Sequence, residues 1–212
     1  IGEFPDSLSI QKRLRGVWQH HQNVSYCFFG SKKHLMENIF QSRRMPFYQF
    51  GEMLHLKCIP TEYWVPFICS RFEKYGKKIT EGYASRICQV VKNHSSYVQQ
   101  LAWNVMAETE KEVNEQSFKE GLKALLEQNS SLFIQQTEGL TTYQLNFIRL
   151  LCKDIHTGFT TKAVSEIYPL GSKSNVDRIK KCLIKKEIIT IEKDGVSLAD
   201  SVFELWFKRE MM

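Results

Sequence analysis

The sequence predicts a mainly α protein with a short α/β section at its amino-terminal end. Three observations lead to this prediction. Apolar residues recur at helical spacing over most of the 212 residues. Two short apolar runs, 24–29 and 53–57, have the length of strands but occur only in the first part of the chain. Near the carboxyl-terminal end, Asp194-Gly195 separates two further runs typical of strands.

Residues 1–58 have the predicted order α-β-α-β. A helix over 6–22 precedes a strand over 24–29 that we expect to be buried on both faces. A helix over 32–40, a basic and aromatic loop and a strand over 53–57 follow. This order is typical of the end of a doubly wound sheet, in which strands finish at ligand-contacting positions such as Gly30-Ser31. Few other parallel strands are predicted, so the section has the pattern of a truncated α/β core.

Residues 59–138 carry only helical patterns and are predicted to form a helical bundle. The first helix is capped by Thr61 and ended by Gly76. The later helices are predicted over 80–92, 95–108, 116–128 and 130–137.

Residues 139–212 have the pattern of a winged helix, which combines three helices with a β-hairpin. Thr141 and Gln144 form a capping box for the first helix, and 161–168 is the second. Ser174 is expected to cap the third, with Val176, Ile179 and Leu183 facing inward. The hairpin strands are 188–191 and 196–198, and a final helix runs from 200 to about 208.

Composition limits the classes of function. A net charge of +6 and an isoelectric point near 8.9 favour an acidic partner such as nucleic acid or a nucleotide, although this charge also serves solubility. Six cysteines without a C-x-x-C pair indicate reduced core thiols in a cytoplasmic protein. The sequence shows neither a signal peptide nor an apolar run of membrane-spanning length, so we expect no membrane partner. It begins with Ile rather than Met, which predicts a processed or truncated chain.

Four segments together resemble a known family: RGVWQHH at 15–21, YCFFGSKKHLM at 26–36, PFYQF at 46–50 and NHSSYVQQL at 93–101. They are similar to the carboxyl half of prokaryotic P-loop ATPases of the AAA+/STAND kind, often called archaeal-type ATPases. The resemblance covers essentially the whole chain. It implies a P-loop core remnant over 1–58, a helical lid domain over 59–138 and a winged-helix domain over 139–212.

The resemblance implies catalytic roles for three residues. Ser31 matches sensor 1, which touches the γ-phosphate or its attacking water. A strand-end hydroxyl beside a helix amino terminus suits this role, although Ser31 could equally be a helix cap in a turn. Arg43 and Arg44 lie where similar ATPases carry an arginine finger, and the alternative is a solvated basic loop. Gln49 stands where related chains often have arginine.

The resemblance also places nucleotide-binding residues at the start of a lid helix, Ser95 and Tyr97. In the family a proline near the nucleotide base is usual at this motif, and Ser95 occupies its position. The alternative interpretation is structural, a helix cap followed by core aromatic residues.

The 212 residues contain neither the G-x-x-x-x-G-K-[ST] loop nor an apolar strand ending in Asp-Glu. In the family these elements hold the phosphates and Mg²⁺. The resemblance therefore implies a missing amino-terminal ATPase half as the principal partner, with ATP and Mg²⁺ bound in the intact protein. We expect this chain alone to bind no cofactor and to hydrolyse no ATP.

An alternative function is nucleic-acid binding by the winged helix, as in a transcription regulator. The residues that could contact nucleic acid are Lys173, Asn175, Arg178, Lys181, Lys185 and, on the wing, Lys193. Winged helices also bind proteins, so a protein partner is the competing possibility. A free-standing hydrolase or metal enzyme is disfavoured, because the six histidines lack the spacing of metal ligands.

Overall fold

The structure is a computed structural model that describes residues 5–30, 33–192 and 195–212, and it confirms the mainly α fold. Two compact units make up the chain, Ile1–Lys57 and Cys58–Met212.

The first unit contains α1 (Ser7–Trp18) and α2 (Lys33–Gln41). The predicted strands over 24–29 and 53–57 are wrong, since the described residues of both segments lie outside helices and strands. A strand requires hydrogen bonds from a neighbouring strand, and the described part of this unit supplies none. Instead of being buried on both faces, the first segment leaves Phe29 91% exposed.

The second unit begins with α3 (Thr61–Lys74), α4 (Glu81–Val90), α5 (Ser95–Ala107) and α6 (Glu115–Glu138). The two helices predicted over 116–128 and 130–137 are one. Asn129, at the expected break, is a weak helix former, but the helix continues through it. Its side-chain Nδ2 donates to the carbonyl of Leu125 at 2.8 Å. Leu125 and Phe133, on either side of it, are fully buried, so tertiary packing overrides local propensity here.

The remaining elements of the second unit are α7 (Thr142–Cys152), α8 (Lys162–Ile167), α9 (Lys173–Lys185), β1 (Ile189–Glu192), β2 (Gly195–Leu198) and α10 (Ser201–Met211). The antiparallel hairpin pairs Ile189 with Leu198 and Ile191 with Val196. The predicted capping box at Thr141 is present.

Ser174 was predicted to cap α9, but the cap is Ser172, whose hydroxyl accepts the backbone N–H of Asn175 at 3.3 Å. Ser174 lies inside the helix, and its own hydroxyl oxygen lies 2.9 Å from that of Ser172.

One hydrophobic cluster runs through the second unit, from Trp64 on α3 to Phe207 on α10. Phe133 of α6 packs edge-on against Phe203 at 5.5 Å and lies 5.6 Å from Trp206. Trp206 Nε1 donates to Ser130 Oγ at 3.1 Å. Residues on both sides of the predicted boundary at 138 therefore share one core, and the division into two domains there stays a prediction.

The cysteines divide between core and surface, and all six are free thiols. Cys88 and Cys152 are buried, as expected of core thiols, whereas Cys27 and Cys58 are exposed. Burial, followed by the charge of Glu204, raises the pKa of the Cys152 thiol to about 12. Among the described helices, none has both the length and the apolar character needed to cross a membrane.

Candidate functional site

The resemblance segments of the first unit meet in an aromatic cluster centred on Phe47, which is 1% exposed. Its ring lies 5.7 Å from Trp18 and 5.8 Å from Phe28, and Trp18 stacks on Tyr26 at 4.7 Å. Offset and tilted rings at these distances stabilise a small core. Several aromatic residues of the resemblance segments thus pack together in this unit, whereas Phe29 does not.

Arg15 joins the same segments through its guanidinium, which donates to the carbonyl of Pro46 and, at 2.9 Å, to that of Tyr48. It therefore orders the loop that follows α2. Arg43 and Arg44, the predicted finger residues, lie in this loop with exposed side chains. Ser31, the predicted sensor, lies outside the described residues.

The predicted nucleotide-binding residues Ser95 and Tyr97 belong to the second unit, in the first turn of α5. Ser95 is half-buried. Tyr97 is 8% exposed, and its hydroxyl donates to Asp200 Oδ2 at 2.6 Å. Asp200 caps α10, where its other oxygen accepts the backbone N–H groups of Val202 and Phe203 at 2.8 and 2.9 Å.

Burial, together with the hydrogen bond to Asp200, raises the pKa of the Tyr97 phenol well above its usual value. The phenol is therefore a neutral donor committed to Asp200 at physiological pH. Its position ties the start of α5 to the start of α10.

The basic residues predicted to contact nucleic acid lie on α9. One side of this helix is buried through Val176, Ile179 and Leu183, as predicted. The opposite side therefore faces solvent. We call the exposed residues Arg178, Lys181 and Lys185 the basic face, since their spacing of three and four places them on one side of the helix. Lys173, in the first turn, is also exposed.

Asn175 lies one turn before Arg178 on the same side of the helix, but it is half-buried. Its Nδ2 donates to the carbonyl of Leu170 at 2.6 Å, and its Oδ1 accepts from Arg178 Nη2 at 2.8 Å. Both ends of the amide are occupied, so Asn175 is poorly placed to read a base edge. Lys193, the predicted wing residue, lies outside the described residues.

The hairpin is attached to the segment that follows α7. The backbone N–H of Val196 donates to the carbonyl of His156 at 3.2 Å. His156 Nδ1 lies 2.9 Å from the Val196 carbonyl, which can only accept, so the proton is on Nδ1. These two bonds hold β2 against the segment that follows α7.

The sequence interpretation missed an aromatic groove between α3 and α5. Its lining includes Trp64, Phe67 and Tyr75 from the α3 side and Trp103 from α5, and its volume is about 570 Å³. Apolar spacing along a helix does not distinguish a residue that lines a groove from one in the core.

The described residues contain no cluster of three or more His, Cys, Asp or Glu side chains arranged to hold a metal ion.

No protein-family model matches the sequence, and no curated protein matches it. Among solved structures, the chain is similar to a Walker-type ATPase of Pyrococcus abyssi, with a TM-score of 0.63 and 14% sequence identity. The match covers 84% of this chain and 51% of the ATPase, so the chain spans about half the length of that protein. At this identity the likeness concerns the fold, and it supports a distant P-loop ATPase-like fold.

Proposed function

We propose that this chain supplies the sensor segment, the lid and a winged-helix interaction module of an ATP-binding P-loop ATPase. The observation that carries the proposal is the fold likeness over 84% of the chain to a Walker-type ATPase. Residues that would cradle the phosphates and hold Mg²⁺ are not among the 212 of this sequence. On this proposal they come from polypeptide outside it, and the chain is not hydrolytically competent alone.

The surface of the first unit supports the proposal. Phe29, Leu54 and Leu56 are 91%, 79% and 96% exposed. Large apolar side chains exposed to this degree are typical of a surface that packs against more protein. In a complete α/β core these two segments would be covered.

Within the intact ATPase, Arg43 or Arg44 is proposed as the finger. Both are exposed, and the planar guanidinium of an arginine matches phosphate oxygens, so either could approach a phosphate of the same or a neighbouring subunit. Ser31 is proposed as sensor 1 on the resemblance alone. When bound, ATP with Mg²⁺ supplies the transferable phosphoryl group and partial neutralisation of its charge.

Ser95 and Tyr97 are proposed to lie near the nucleotide at the start of the lid. Because the Tyr97 hydroxyl is committed to Asp200, its contribution would come from holding α5 against α10. Nucleotide-dependent movement of α5 would then reach the carboxyl-terminal helices through this bond.

Calorimetric titration with Mg·ATP tests the proposal. The 212 residues alone are expected to show no binding in the micromolar range, because they lack the phosphate loop. The reading frame upstream of Ile1 is expected to encode a glycine-rich lysine loop and a strand ending in Asp-Glu. Micromolar binding by this chain, or an upstream frame without that loop, would contradict the proposal.

A second candidate function is binding of duplex DNA, favoured by the basic face of α9. If Arg178, Lys181 and Lys185 each neutralise one phosphate, the slope of log K against log salt concentration should be about −3. Lys181→Glu is expected to abolish binding measured by fluorescence anisotropy. Lys123→Glu makes the same charge change on α6 and should have little effect. Binding that is insensitive to salt or to Lys181→Glu would exclude this function.

A further inference from the structure

The groove between α3 and α5 has the dimensions of a site for a short helix. Its α3 wall extends from Trp64 to Tyr75, which is about 16 Å at the rise of an α-helix. Trp64 forms part of its lining and is 6% exposed. Phe72, also in the lining, is 1% exposed. Three further aromatic residues stand outward on its sides, with Phe67 40%, Tyr75 57% and Trp103 57% exposed.

The rings of the groove are held in place before any partner binds. Tyr75 and Trp103 meet edge to face across it, with centroids 6.1 Å apart. The guanidinium of Arg71 lies over the Phe67 ring at 4.9 Å. Asn104 and Gln128 exchange hydrogen bonds of 3.1 and 3.3 Å between their amides. Preordered side chains lower the entropy cost of binding.

The composition of the groove is that of a protein interface. Trp, Tyr and Arg are the residues most enriched where binding energy is concentrated, and charged residues are depleted at the centre of such sites. α5 carries no charged residue along its whole length. Arg71 is the one charged side chain among the described residues that line the groove.

The charged residues of α3 that line cavities differ in sign from one side of the helix to another. Arg71 faces the aromatic groove, whereas Glu62 and Glu73 line a separate cavity on another side of the helix, together with Glu81 of α4. The groove therefore offers a positive charge on an apolar surface, which a carboxylate would complement.

We propose that this groove binds an acidic amphipathic helix of a partner protein. Two apolar side chains of that helix, three or four residues apart, enter between Trp103 and Phe67. A neighbouring Asp or Glu meets Arg71. This surface belongs to the second unit alone.

Selection from a phage-displayed library of random 15-residue peptides, with the 212-residue chain as bait, tests the proposal. The recovered peptides should share apolar residues at a spacing of three or four and an adjacent Asp or Glu. Synthetic copies should bind with micromolar Kd in fluorescence anisotropy. Trp103→Ala should weaken this binding about tenfold or more, as for a central interface residue.

Arg71→Glu provides the test of charge. This variant should bind the acidic peptides more weakly than the unmodified chain does. It should bind more tightly to versions of the peptides in which lysine replaces the acidic residue. Lys123→Glu makes an equal change of charge at an exposed position of α6 and should leave both affinities unchanged. Trp103 and Arg71 are exposed, so far-UV circular dichroism should match the unmodified chain. A selection without enrichment, peptides without acidic residues, or affinities unaffected by Trp103→Ala would each overturn the proposal.

Discussion

Gly195 begins β2 at the point where the hairpin passes closest to the segment after α7. Its φ of +135° is a conformation that side-chain-bearing residues rarely adopt. A Cβ atom there would lie 2.7 Å from the carbonyl oxygen of His156. That oxygen already accepts the Val196 N–H, so neither β2 nor the segment of His156 is free to move away.

Gly195→Ala is therefore expected to destabilise the second unit by about 2 kcal/mol or more, through backbone strain and overpacking. Urea unfolding followed by circular dichroism measures the change. Gly139→Ala is the matched control, because the nearest atom to its Cβ is the mobile end of Lys186 at 3.6 Å. Equal stability of the two variants would contradict the close approach of β2 to His156.

Glu204 links α10 to the end of α4. Its carboxylate accepts from Lys92 Nζ at 2.7 Å and from Lys208 Nζ at 2.6 Å, and its side chain is 13% exposed. Burial acts to raise the pKa of Glu204, but the hydrogen bonds from Lys208 and Lys92 outweigh it and leave the pKa below its ordinary value. The folded state therefore favours the ionised form.

A carboxylate with a lowered folded pKa stabilises the protein above its unfolded pKa, which is 4.5 for glutamate. This contribution is lost as the pH falls through the folded value. Glu204→Gln should accordingly cost about 1 kcal/mol at pH 7, and this cost should decrease as the pH is lowered below 4.5. Thermal unfolding across this pH range measures the decrease, with Glu127→Gln on the exposed side of α6 as control. A cost that does not change with pH would show that packing, rather than charge, is responsible.

At the scale of elements, α5 and α6 are held unusually close by Gly121. A Cβ at this position of α6 would lie 2.6 Å from the backbone nitrogen of Val105 on α5. Backbone atoms within a buried helix cannot give way without moving the whole helix.

Gly121→Ala should therefore cost about 2 kcal/mol or more, even though alanine is the better helix former. Gly82→Ala, in the first turn of α4 with only Thr80 Oγ1 nearby at 3.7 Å, should be neutral or stabilising. Chemical denaturation compares the two. If Gly121→Ala were as stable as Gly82→Ala, the close packing of α5 on α6 would be wrong.

At the scale of the whole molecule, the main hydrophobic cluster uses only residues between Trp64 and Phe207. We therefore expect residues 58–212 to fold without the first unit and to retain the thermal midpoint of their own transition within a few degrees. Differential scanning calorimetry of the shortened and full chains checks this. Loss of cooperative unfolding on removal of residues 1–57 would contradict it.

Much of the fold could be predicted because its signals are local. The capping box of Thr141 and Gln144, the inward residues of α9 and the Asp194-Gly195 hairpin each depend on neighbours a few residues away. The candidate sites were less predictable. The exposure of Arg178, Lys181 and Lys185 follows from helical spacing, but the commitment of Asn175 to Leu170 depends on the loop before the helix.

The sequence by itself determined where most helices lie, since helical hydrogen bonds join residues four apart and side-chain caps act within one turn. The tertiary structure alone decided that α6 continues through Asn129, that Tyr97 is bound to Asp200, and that α3 and α5 enclose an aromatic groove. It also decided that residues 24–29 and 53–57 form no strands among the described residues. Strand pairing and side-chain partners depend on segments distant in the chain. Local periodicity does not reveal which of these segments come together in the folded protein.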